Sequence, residues 1–242
     1  MNRGLAKYSL WQFRDFVIDR GIAILIIGFL WGYAVLEPLR RSLGPSFTAG
    51  SASPAWVFAL QISSTVVSLS VLIALNGIVS TDRKMGYYRF LFSKPVNPVV
   101  YYGQLFFVYM AGVLAAMFVL ASLLRAILPT FSILNFLLYT ALMYLAMGGI
   151  GFFLSVATRY DWLTLAAVWL GARVLRGLYG PRADWRSKAV ELLPPVHRLD
   201  DVANSLIGSG TAHASDVFWL LGYGAVFFVL GLFILRKGSL AD

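Results

Sequence analysis

Six apolar runs, each about as long as a bilayer is thick, divide these 242 residues, and no other property of the sequence restricts the fold as much. A helix crosses the hydrocarbon core with about 20 apolar residues. Hydrocarbon offers backbone polar groups no water, so only helices and closed barrels span it. The alternating ten-residue strand pattern of a barrel is absent. The chain is 59% hydrophobic and 13% charged, whereas a soluble domain carries about 25% charged residues. The sequence therefore predicts an all-α polytopic membrane protein. One domain covers 1–242, with six transmembrane helices preceded by an interfacial amphipathic helix.

The spans are expected at about Gly21 to Leu39, Pro54 to Ser80, Val99 to Leu124, Ile133 to Ala157, from Trp162 onward, and Val217 to Leu235. Arg173 and Arg176 weaken the fifth, but they fall in its last turns, where long side chains reach the interface. Gly28 and Gly32 have the GxxxG spacing that lets helices approach closely. They are a candidate dimer contact of low specificity. In the second span Gln61, Ser64, Thr65, Ser68 and Asn76 form a mildly polar stripe. Such a stripe either hydrogen-bonds to neighbouring helices or lines a substrate path. Met147, Gly148, Gly149 and Gly151 permit close packing or a kink in the fourth span.

Residues 4–19 sort into two helical faces. Leu5, Ala6, Leu10, Phe13, Phe16 and Val17 share one, and Lys7, Tyr8, Trp11, Gln12, Arg14 and Asp15 share the other. Tryptophan and tyrosine beside charges suit the headgroup layer, so this helix is expected to lie on the membrane and turn at Arg20–Gly21 into the first span. The longest polar interruption of the N-terminal half runs from Asn76 to Gln104. Thr81 or Asp82 can cap a short helix there, and Pro95 ends it. On that helix, over 82–94, Met85, Tyr88, Leu91 and Phe92 face one way, and Arg83, Gly86, Tyr87, Phe90 and Lys94 face the other. It is either a basic helix on anionic lipid or a docking helix for a soluble partner.

A formal charge of +9 suits anionic headgroups or acidic partner surfaces and is not read as nucleic-acid binding. No cysteine is present, which removes disulfides and thiolate ligands. The N-terminus lacks the cleavage pattern of a signal peptide. An even number of spans puts both termini on one side. The Lys and Arg distribution weakly favours the cytoplasm for them, in the plasma membrane, with 177–215 as an extracytoplasmic loop. Short helices are expected in that loop at about Trp185 to Leu192 and Leu199 to Ile207. If the fifth run failed to cross, this loop and the chain end would exchange sides.

No GxxxxGK[ST] phosphate loop, HExxH or GxSxG motif occurs. His197 and His213 are the only histidines, and both lie in that loop, so axial haem ligands inside spans are missing. The spans hold no mid-membrane carboxylate of the kind ion-coupled carriers use. No catalytic residue, metal site or cofactor is expected in this chain. A transporter built this way must take its energy from a partner.

At this point the chain resembles the permease subunits of the type-2 ABC transporters, which include O-antigen, teichoic-acid and antibiotic exporters. The resemblance covers nearly the whole length. It rests on the surface helix, the six spans and the loop after the second span, where Gly77, Asp82, Arg83, Gly86, Arg89, Leu91, Pro95, Val96, Tyr102, Gly103 and Gln104 match the family pattern. Arg236-Lys237-Gly238 is similar to the close of such permeases. The resemblance implies a dimer of permeases, identical or paralogous, on two soluble ATPase subunits that bind ATP and magnesium. Arg83, Lys84, Gly86, Tyr87, Phe90 and Lys94 would contact the ATPase as a coupling helix, aided by Leu5, Leu10, Trp11, Phe13 and Phe16. Gln61, Ser64, Ser68 and Asn76 would line the path, and Gly28 and Gly32 would serve the dimer. Two rivals stand beside this reading: a membrane scaffold or assembly subunit without a transport path, and a lipid-modifying enzyme with Arg173, Arg176 and His197 near a headgroup.

Overall fold

A computed structural model describes residues 3–36, 38, 41, 54–86, 97–127, 129, 131–158, 161–179, 193–209 and 211–237. Among them every regular element is helical. The elements are α1 (Arg3–Phe16), α2 (Ile22–Trp31), α3 (Pro54–Leu75), α4 (Ser80–Lys84), α5 (Pro98–Ile127), α6 (Ile133–Ala157), α7 (Asp161–Tyr179), α8 (Val196–Ala203) and α9 (Ala214–Lys237). Among the described residues five stretches are long and apolar enough to cross a membrane: Tyr8–Ala34, Ser63–Asp82, Pro98–Ala126, Ile133–Ala157 and Ala214–Arg236. α7, with Asp161, Arg173 and Arg176 in 19 residues, is not one of them.

α6 is the centre. It packs against α3, α5, α7 and α9, and 67% of its span is buried, against 17% for α9. Ser132 starts it by accepting the Asn135 N–H at 3.3 Å, one of the orphan donors of a first turn. Glycines set its closest approach. A Cβ on Gly149 would collide with the Gly224 carbonyl of α9, and one on Gly224 with the Leu145 carbonyl of α6. The cluster that permitted close packing or a kink is used for packing, since α6 runs unbroken over 25 residues. Phe152 meets Phe228 at 5.0 Å and Phe153 meets Phe227 at 5.5 Å. Over a longer stretch Gly224 lies at Leu145 and Gly149, and Gly231 at Phe152, so positions rise together along both helices, and α6 and α9 run parallel. Phe106 of α5 joins this aromatic core, 4.6 Å from Phe228 and 5.0 Å from Tyr144.

The expected turn at Arg20–Gly21 does not occur. The backbone stays helical through a wider turn, Val17–Gly21, in which Ile22 N–H bonds Val17 C=O. α1 and α2 therefore continue one another. Their buried stripe is Gln12, Phe16, Gly21, Ile24 and Gly28, facing α5. Phe16 fills the notch above Gly112. This corrects the assignment of faces. Leu10 (68% exposed) and Trp11 (66% exposed) both point outward, while Gln12 is buried. Hydrophobicity misleads here because lipid and core are both apolar, so packing selects shape and hydrogen bonds.

The described part of the loop between α7 and α9, from 193 onward, also folds inward. Val196, Leu199, Val202, Ala203, Leu206 and Ile207 are buried, at the three- and four-residue spacing of one helical face. They pack α8 and the following turn, Asn204–Ser209, on the bundle. The helix expected at Leu199 to Ile207 corresponds to these two elements, whereas the one at Trp185 to Leu192 lies outside the described residues.

Candidate functional site

The stretch after α3 is fastened to two other helices, and the last turn of α3 to a third. α3 stops at Leu75, and the chain turns through Asn76 to Val79 into α4. The turn needs Gly77, whose φ of +75° is left-handed, a region that costs other residues. α4 closes the same way, at Gly86 with φ +71°. Among the described residues these are the positions with positive φ.

Ser155 of α6, fully buried, holds the first of these turns. Its Oγ accepts the Val79 N–H at 3.1 Å and the Ser80 N–H at 3.2 Å. These are donors that a helix start leaves without an intrahelical partner. Tyr102 of α5 donates its hydroxyl to Asp82 Oδ2 at 3.1 Å. Arg20, in the widened turn after α1, donates to the Ala74 carbonyl and stacks its guanidinium 4.8 Å from the Tyr109 ring. Gln104 Nε2 donates to Ser9 Oγ at 2.8 Å and Gln12 Oε1 at 3.3 Å, tying α5 to α1. The segment 76–86 thus bonds α6 through Ser155 and α5 through Tyr102, and Arg20 ties the α1–α2 rod to Ala74 in the last turn of α3, just before it.

The sequence-derived residues divide accordingly. Arg83 and Lys84 lie in the last turn of α4, and Gly86 ends it. The helix expected over 82–94 is therefore not continuous past Gly86. Tyr87, Phe90 and Lys94 lie outside the described residues, as do Arg89, Leu91, Pro95 and Val96 of the family pattern. In α1, Leu5 is helical, Phe13 is half-buried, and Phe16 is buried against α5. Of the polar stripe, Gln61 is helical and Ser64 half-buried. Ser68 is 6% exposed and donates to its own helix at Ser64 C=O, 2.8 Å away. Asn76 lies in the exposed part of the turn. The candidate dimer glycines separate: Gly28 is occupied within the chain by Leu120 of α5, and nothing lies within 4 Å of a Cβ on Gly32. A cavity of about 200 Å³ beside them is lined by Phe29, Tyr33, Ser63, Leu120 and Phe136.

Sequence reasoning missed Ser9, Arg20, Ser155 and Tyr109. Arg20 alone left a signal, as an arginine at the start of an apolar span.

At the opposite end of the bundle, Arg173 of α7 holds Asp200 of α8 with contacts of 3.0 and 2.9 Å. Arg198 holds Asp216 of α9 at 2.7 Å and stacks over Trp219. Burial raises the Asp200 carboxyl above its ordinary range, with Arg173 pulling the other way. His197 is lowered by burial first and then by Arg176 and Arg198, with Asp201 and Asp216 opposing. Among the described residues no group of three His, Cys, Asp or Glu side chains could hold a metal.

No family profile, characterised protein or solved structure matches the chain.

Proposed function

We propose that this chain is the membrane-spanning permease subunit of a type-2 ABC transporter. It works as a dimer on two ATPase subunits and exports its substrate between the two permeases. The observation that carries the reading is the fastened junction at 76–86. A load applied to the loop beyond Gly86 reaches α5 and α6 through Tyr102 and Ser155, and the α1–α2 rod through the end of α3, where Arg20 holds Ala74. Asp82 and Tyr102, which carried the resemblance, are bonded to each other at this junction, Gln104, also of that pattern, ties α5 to α1, and Gly77 and Gly86 supply the junction's left-handed turns. A loop that merely rested on lipid would need no such bracing. ATP binding would draw the ATPase subunits together, and the junction would tilt the helices it grips.

Six crossings fit the parallel run of α6 and α9. Two consecutive spans can be parallel only if the chain returns between them, and α7 joins their opposite ends. At 1.5 Å per residue, its 19 residues rise about 28 Å, against a hydrocarbon core about 30 Å thick. Six crossings place both termini and the 76–97 loop on the same side, which this reading takes as the cytoplasm.

The test is copurification. Arg83→Ala, Tyr87→Ala and Phe90→Ala together should release a P-loop ATPase that the wild-type chain retains. Retention with transport intact would discard the docking role. The scaffold reading is favoured by one observation: Ser68 is buried and bonded within its own helix rather than facing a channel. Transport that survives Ser64→Leu would support that alternative for the stripe.

A further inference from the structure

α7 ends beside the first turn of α8, and between them lies a cavity of about 270 Å³. Its polar lining is Arg173, Arg176, His197 and Asp200, and Pro194 and Val196 supply apolar wall. The charges do not cancel. Arg173 is answered by Asp200 and Arg198 by Asp216. Arg176 has no ion pair among the described residues, and its charge already bears on His197. Among its lining side chains the cavity therefore holds one surplus positive charge, with Asp201 acting from outside the lining; it sits on a guanidinium, whose planar fork matches phosphate oxygens.

One wall group, Asp200, is a carboxylate, which repels a doubly charged anion more than a singly charged one. The surplus fits a monoanion. Beside the cavity, Leu170, Val174 and Leu178 are each more than half exposed. They lie at four-residue steps on α7, the spacing of one apolar stripe, and Val174 adjoins Arg173 in sequence. A polar site bordered by apolar helix surface suits a molecule with an anionic head and a hydrocarbon tail.

We propose that this cavity binds a singly charged phosphodiester, with the head on Arg176 and the tail along Leu170, Val174 and Leu178, as an anionic glycerophospholipid presents them. The site is independent of the ATPase contact and needs no partner.

The test uses the full chain in neutral detergent, titrated with phosphatidylglycerol, phosphatidylcholine, dimethyl phosphate or inorganic phosphate, and read by native mass spectrometry and thermal unfolding. Phosphatidylglycerol should bind saturably and phosphatidylcholine should not. Arg176→Gln should weaken the binding at least tenfold, and Arg236→Gln, at the far end of α9, should leave it unchanged. In the unaltered chain, phosphatidylglycerol alone should slow amide exchange over 196–200, a readout that does not depend on a variant folding. If dimethyl phosphate or inorganic phosphate displaces the lipid and depends equally on Arg176, the anion site stands and the lipid source is overturned. Equal binding of the two lipids, indifference to Arg176→Gln in a folded variant, or unaltered exchange at 196–200 overturns the site itself.

Discussion

Replacing Ser155 with alanine removes one oxygen and strands two donors. The Val79 and Ser80 amides both end on Ser155 Oγ, at 3.1 and 3.2 Å, and the serine is fully buried. A buried donor left unpaired costs about 1–3 kcal/mol, and some relaxation of the turn is expected. The two together should therefore destabilise the junction by about 2–4 kcal/mol. At tenfold per ~1.4 kcal/mol, local opening becomes roughly 30- to 700-fold more frequent. Amide exchange resolves this residue by residue, because it reports local opening free energies. In Ser155→Ala the amides of 79 and 80 should exchange faster by that factor, while those around Tyr139 and Thr140, near the other end of α6, should change little. If 79 and 80 keep wild-type exchange within about threefold in a folded protein, the serine does not brace the turn. The proposed transmission through α6 would fail with it.

Gly149→Ala should lower the unfolding temperature, because the new methyl meets the Gly224 carbonyl and overpacking costs ~1–3 kcal/mol. Gly171→Ala, where nothing lies within 4 Å, should instead be neutral or gain about 0.5–1 kcal/mol from helix propensity; the opposite signs are read by thermal unfolding in one detergent. Gly86→Ala forces alanine into the left-handed region and should cost about 1–2 kcal/mol, seen as faster exchange over 80–86. His197 titrates below its ordinary 6.5 in the fold. The stability it contributes is therefore present above pH 6.5 and is lost as the pH falls through the lowered value. Unfolding temperature should decline on acidification across that window, and His197→Gln should flatten the decline.

The span most legible in the sequence was Ile133 to Ala157, where an apolar run is bounded by the Ser132 cap and by Thr158 in extended backbone. The span ends at Pro98 and near Lys237 were also readable, since proline and the basic pair punctuate them. What faced inward was not readable. In water, periodic hydrophobicity marks the core, but a bundle in lipid is apolar on every side. α6 buries Tyr139, Thr140 and Ser155 while exposing Leu134, the reverse of a soluble helix. The same inversion hid Gln12, which shares the buried stripe with Phe16. The 76–86 junction was readable only as a polar interruption with a short helix: the cap expected at Thr81 or Asp82 is not there, since α4 starts at Ser80 and Asp82 bonds Tyr102, and Gly86, expected on a helix face, ends the helix. Ser155 was not, because its partners are about seventy-five residues away.

The contact of Gly149 with Gly224 also has a mechanical corollary. Two parallel rods that touch backbone to backbone behave like a spliced beam: one cannot slide while the other stays put. A fluorophore at Arg236, which is exposed, would therefore report displacement of α6, the most enclosed of the membrane-length helices described, from a position open to labelling.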